Sequence, residues 1–277
     1  MSVIVFLVIL SILVLVHELG HFGVAKFFGI RVDEFGLGYP PRAKKLFKWK
    51  GTDFTLNWLP FGGFVKIFGE NPTDSPKKDL GESVGHYSGA SSVDNFQYKN
   101  RGVQSLVLVA GVVCNFLFAW LLIFIVLITG LSAPLEAAQN GHLSVVEAVP
   151  ESLRISAVLT LKTTQALSIF ISQAVVGHAD LSTVTGPVGL VGLVGEVSGL
   201  GFGYLLTFIA LISINLCIIN LLPFPALDGG RLIFVVLEAI SRRSIPARIF
   251  NAINAVGFAL LIFLMILITI RDVKNIL

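Results

Sequence analysis

Only two cysteines occur in the 277 residues, Cys114 and Cys217, and both fall inside apolar runs, which excludes a disulfide framework and a four-cysteine zinc site. Charge is also scarce. Asp, Glu, Lys and Arg make up 13% of the chain against 55% hydrophobic residues, and the mean hydropathy of +0.85 excludes an ordinary soluble domain. Three stretches, 103–131, 197–227 and 249–270, hold no charged residue at all, and each exceeds the roughly 20 residues that cross a bilayer. The net charge of +3 arises from one basic stretch rather than a basic surface, so nucleic acid is not an expected partner. The lipid bilayer is. No internal repeat is visible.

What is present begins with an apolar run, 3–16, that lacks a basic leader and meets His17-Glu18-Leu19-Gly20-His21 where a cleavage site would need small residues. It is therefore read as a retained helix, continuing to about residue 28. The spans expected are 3–28, 103–131, 203–222 and 249–270, giving a mainly α-helical membrane protein with four transmembrane helices. Lys and Arg fix the orientation. Residues 26–102 hold twelve of them, 132–202 hold Arg154 and Lys162, and 228–251 hold four. The positive-inside tendency puts 29–102 and 228–251 in the cytoplasm and both termini outside. At about 1.5 Å per residue, His17 then lies roughly 21 Å along its helix, on the cytoplasmic side of the midplane.

The cytoplasmic stretch 30–70 alternates apolar and polar residues and should form a membrane-associated β-hairpin, with 53–59 and 64–68 as strands around the turn signal 60–63. Residues 70–100 have too few apolar groups to pack and are expected to form a mobile loop. Two shorter apolar pieces, 163–177 and 181–195, read as an interfacial helix followed by a loop; a re-entrant pair is the alternative.

The chemistry sits in the first span. His17 and His21 are four apart, so on a helix they share a face, and Glu18 is offset by about 100°, near enough to a metal-bound water to act as its base. Three ionisable groups within five residues of a hydrocarbon span are costly unless paired or metal-bound. A catalytic zinc site needs a third ligand, and Asp228 is the only carboxylate near the cytoplasmic end of the third span. Pro223, Pro225, Gly229 and Gly230 around it predict an unwound backbone that can turn the carboxylate inward. Asn115, alone in a long apolar helix, either bonds a neighbouring helix or steadies Glu18 or bound substrate. His86, His142 and His178 lack a ligand-spaced partner and read as solvated. Intramembrane His and Asp with a broken helix also mark transporters, but here the polar groups cluster at one depth.

His17-Glu18-x-x-His21, with Asn220-x-x-Pro223-x-Pro225-x-x-Asp228-Gly229, resembles the site-2 protease family of intramembrane zinc metalloproteases, in particular the RseP-type branch that regulates sigma E. Gly51-Thr52 leading to 59–66, Gly69-Glu70, 110–116 and 185–189 are similar to the same branch. The resemblance implies that His17, His21 and Asp228 bind Zn2+, that Glu18 is the catalytic base, and that Asn220 contacts the substrate backbone. It also implies that the 53–68 segment, with Phe64, Val65 and Lys66, holds substrate as an added strand. The expected substrates are single-span membrane proteins, such as anti-sigma factors or signal-peptide remnants, cut near the cytoplasmic face of a bacterial inner membrane. Two features depart from the branch. Val112 stands where a proline is usual, and 132–152 is a short outer loop where a PDZ domain is usual.

Overall fold

The computed structural model describes residues 1–70, 94–135, 142–178, 184–243 and 245–276. In chain order the elements are α1 (Ser2–Phe27), β1 (Val32–Trp49), β2 (Thr52–Ile67), a 3-10 turn (Phe96–Tyr98), α2 (Arg101–Thr129), α3 (Val145–Val175), α4 (Pro187–Leu200), α5 (Phe202–Leu221), α6 (Asp228–Ser241) and α7 (Ala247–Ile276). Five of these helices, α1, α2, α3, α5 and α7, are long and apolar enough to cross a membrane. The sequence counted four; the fifth is α3.

Residues 145–152, read from the sequence as the end of an outer loop, instead begin α3, which also absorbs most of 163–177. The reason is local. Ser144 and Glu147 form a capping box, with Ser144 N–H donating to the Glu147 carboxylate at 3.2 Å. Pro150 lies close enough to the start that its missing N–H frees a single carbonyl of the helix. Residues 187–195, part of the loop expected over 181–195, instead open α4, which runs to Leu200 with Gly186 as its cap and Pro187 at its first position. Most of the expected mobile loop, and His86 with it, lies outside the described residues.

The chain divides into two compact units. One comprises Met1–Ile9, Val112–Leu222 and Val256–Leu277, and is helical throughout its described elements. Its core is aliphatic: Leu122, Ile123, Val126 and Leu127 of α2 pack with Leu206, Ala210, Ile214 and Ile218 of α5. Helix α3 joins through Ala148, Ile155 and Leu159. Ser152 and Ser156 are fully buried on it, small residues that permit close helix approach.

The other unit comprises Leu10–Gly111 and Pro223–Ala255 and holds the sheet. The turn between β1 and β2 is Lys50-Gly51, both at positive φ (44° and 81°), the two-residue geometry that matches strand twist. This corrects the expected hairpin turn at 60–63. There β2 runs on, bending at Gly62 (φ 69°) and Gly63, because a Cβ at Gly62 would meet Val14 at 2.9 Å and one at Gly63 would meet the Gly36 carbonyl at 2.8 Å. The two halves of β2 consequently pair with β1 instead of with each other. Phe35 sits opposite Val65 on one side and Phe54 on the other, and Leu37 opposite Gly63 and Leu56. Phe22 of α1 closes this core against Phe35 and Phe54, with Val107 and Val235 of α2 and α6 in the same cluster.

Candidate metal centre and its cleft

All three expected ligands lie in the sheet-containing unit. His17 and His21, one turn apart on α1, are 8% and 7% exposed. Asp228 arrives from the irregular segment between α5 and α6: Ala226 takes a left-handed φ of 72°, its N–H donates to the Asn254 side chain at 3.0 Å, and Asp228 opens α6. Gly230 must be glycine, since a Cβ there would lie 2.2 Å from the Phe224 carbonyl oxygen. The prolines and glycines thus do what their positions predicted, folding 222–227 tightly so that a carboxylate meets two imidazoles.

The three donor atoms converge. His17 Nε2 lies 2.9 Å from Asp228 Oδ2, His21 Nε2 lies 3.3 Å from the same oxygen, and the two nitrogens are 3.0 Å apart. Zinc held at about 2.0–2.2 Å by tetrahedral ligands would separate them by about 3.3 Å, so the triangle fits such an ion with little adjustment. The imidazole orientation is also set. His21 Nδ1 is 2.7 Å from the Val107 carbonyl of α2, an atom that can only accept, so Nδ1 carries the proton and Nε2 turns its lone pair to the centre.

These groups open on a cleft of about 350 Å³ lined by His17, Glu18, His21 and Asp228 on one side and residues 64–67 of β2 on the other. Glu18 accepts a hydrogen bond from the Val65 backbone N–H. Phe64, Val65 and Lys66 therefore do reach the cleft. Asn115 and Asn220 belong to the helical unit. Asn115 is fully buried on α2, its backbone carbonyl accepting from Ser213 at 2.8 Å, and Asn220 is half-buried near the end of α5.

Two further residues of the cleft had no role assigned from the sequence. Arg231 and Glu70 form an ion pair in the lining, and both also border a neighbouring cavity of about 380 Å³. Arg231 was detectable in principle, standing three residues after Asp228 on the same helical face. Glu70 carried no such spacing signal.

The chain resembles known proteins along nearly its whole length. The chain is 33% identical to the Clostridium perfringens protein named "Putative zinc metalloprotease CPE1693", the alignment covering 99% of this chain and 98% of that one. It is 25% identical to zinc metalloprotease RasP of Geobacillus kaustophilus, again covering 99% and 98%. These alignments run to 355 and 414 positions, so both relatives carry material that this 277-residue chain lacks. The model of peptidase family M50 matches residues 5–264, and the chain belongs to that family.

Proposed function

We propose that this chain is an intramembrane zinc metalloendopeptidase that cuts transmembrane segments of other membrane proteins near the cytoplasmic face. The observation that carries the reading is the convergence of His17 Nε2, His21 Nε2 and Asp228 Oδ2 within 3.3 Å, with Glu18 in the same cleft. His17, His21 and Asp228 hold the metal, and the names of the relatives, zinc metalloproteases, favour Zn2+ as that ion. Zinc, when bound, supplies Lewis acidity that lowers the pKa of a water and polarises a carbonyl.

The remaining work falls to the protein. Glu18 takes a proton from the attacking water and returns it to the leaving amine. A helical substrate hides its carbonyls in its own hydrogen bonds, so it must be extended before it is cut. The 64–67 stretch of β2 offers replacement bonds by strand addition beside Glu18, with the side chains of Phe64, Val65 and Lys66 in contact with it. The family resemblance assigns Asn220 to the substrate backbone, and leaves Asn115 between steadying substrate and bonding a neighbouring helix.

The substrates are single-span proteins such as anti-sigma factors or signal-peptide remnants, in a bacterial inner membrane, with α1, α2, α5 and α7 crossing and both termini outside. Helix α3 is the least apolar candidate span, at hydropathy 1.3 against 2.3–2.7 for the others. The shortness of the chain relative to its relatives is the counterpart of an absent PDZ domain. The test is cleavage of a single-span substrate by purified protein in liposomes, with the cut mapped by mass spectrometry, with and without a zinc chelator. Chelator-insensitive cleavage, or none, rejects the reading. Orientation is tested separately by impermeant thiol labelling of Ser144→Cys and His178→Cys after removal of Cys114 and Cys217. Labelling from opposite sides would show that α3 crosses and would overturn the four-span arrangement.

A further inference from the structure

Helix α2 supplies no ligand, yet it forms the wall against which both imidazoles rest. Its Val107 carbonyl holds the His21 Nδ1 proton. One turn later stands Gly111, where an added Cβ would lie 2.5 Å from His21 Nε2, 2.8 Å from His17 Nε2 and 2.6 Å from His17 Cε1. Real carbon atoms do not approach ring nitrogens so closely, and these are the same two nitrogens that converge on Asp228. On the facing helix Gly20, between the two histidines, does the reciprocal job: its Cβ would lie 2.4 Å from the Ala110 carbonyl oxygen and 2.9 Å from Gly111 Cα. The two backbones therefore touch at the level of the ligands. Glycines elsewhere on the same helices carry no such demand. Gly23 on α1 has nothing within 4 Å of its Cβ position, and Gly102 on α2 meets only the Asn100 side chain at 3.6 Å.

We propose that Gly111 is a positioning residue for the metal: the space left by its missing side chain is where the two Nε2 atoms turn toward the ion, and Gly20 holds α1 close enough for the Val107 carbonyl to fix His21. The inference rests on the zinc reading above but concerns residues that neither bind metal nor touch substrate. Any side chain at 111 would rotate at least one imidazole away from the shared centre while leaving all three ligands and Glu18 in the sequence.

The experiment uses the full-length chain in detergent, with zinc affinity measured by chelator competition, Co2+ absorption as a reporter of ligand geometry, and melting of the metal-free protein. Gly111→Ala should lower zinc affinity by at least about 10–100-fold, the range for residues that orient ligands, and should weaken or shift the Co2+ bands. Its metal-free form should melt within a few degrees of the parent. Gly20→Ala should act in the same direction, and Gly23→Ala and Gly102→Ala should match the parent in all three measurements. Parental zinc affinity and Co2+ spectrum in Gly111→Ala would overturn the proposal. So would a metal-free Gly111→Ala that has lost its helical signal or its melting transition, since that assigns the glycine to general packing. A parent chain that takes up no zinc at all would instead sink the metal reading, and this inference with it.

Discussion

The two units solve the problem of polar groups in an apolar chain in opposite ways. In the helical unit the buried hydroxyls satisfy backbone carbonyls: Ser213 bonds the Asn115 carbonyl, Thr207 that of Gly203 and Ser156 that of Ser152. In the sheet-containing unit, imidazoles and carboxylates are gathered on one cleft and face each other. The first arrangement needs only helical geometry, because a hydroxyl can reach its own or a neighbouring backbone. The second needs two segments far apart in the chain, α1 and the start of α6, to bring three donors within 3.3 Å, which is why it comes with a sheet, a left-handed residue and glycine contacts. A buried charge left unpaired is far costlier than a buried hydroxyl, so the site unit should respond to single substitutions more sharply.

The strongest contrast should come from the ligands. His17→Ala or Asp228→Ala should lose both zinc and cleavage, whereas Glu18→Gln should retain about one zinc per chain and lose about 10²–10⁴-fold in cleavage rate, the usual worth of a general base. Metal content by elemental analysis beside a turnover assay separates the two; cleavage at the parental rate by Glu18→Gln would remove it from the role of base. Next is Ile123→Ala in the helical unit. Ile123 is fully buried, and the cavity should cost about 2 kcal/mol, seen as a lower melting temperature with zinc affinity unchanged. Altered zinc affinity there would break the proposed division of labour.

A smaller effect is expected within the sheet. The Phe47 and Phe54 rings stack with centroids 4.5 Å apart and planes 13° from parallel, and Phe47→Ala should cost about 1 kcal/mol, read as faster amide exchange around Phe54. Unchanged exchange would mean that the stack contributes nothing to sheet stability. The smallest belongs to Ser213→Ala. Removing its bond to the Asn115 carbonyl should cost about 0.6 kcal/mol, typical of polar contacts between membrane helices, and a loss of several kcal/mol would show that this bond anchors more than a helix pair.

The same contrast explains what could be read in advance. His17, Glu18 and His21 were legible because helical spacing alone puts them together, and Asp228 because Pro223, Pro225 and the glycine pair announce an irregular backbone. Helices α2, α5 and α7 followed from the charge-free runs. Misreadings arose where tertiary pairing decides. The turn signal at 60–63 is chemically a turn, but Gly62 and Gly63 are there to let β2 bend past α1, and the actual turn at Lys50-Gly51 hid in a basic stretch. Residues 145–152 contain Val145-Val146, which reads as strand, and a proline, which reads as interruption. The capping box of Ser144 and Glu147, which opens α3, was the overlooked cue. Gly111 beside Asn115 is legible as a glycine that permits close helix approach, but which helix it admits, and that two imidazoles lie against it, leaves no periodic trace in either helix.

The pairing of His17 with Asp228 spans 211 positions of the chain, and this separation orders events during synthesis. A nascent chain that has delivered α1 and α2 to the membrane already carries the two imidazoles, the Val107 carbonyl and the Gly20–Gly111 contact. It has two donors and no third. Only when translation has passed Asp228 and the 222–227 fold has closed can the proposed ligand set be complete. Unfinished chains that stop before that point should therefore be inert toward peptide bonds, whatever their insertion state. Proteolytic competence is acquired in one late step.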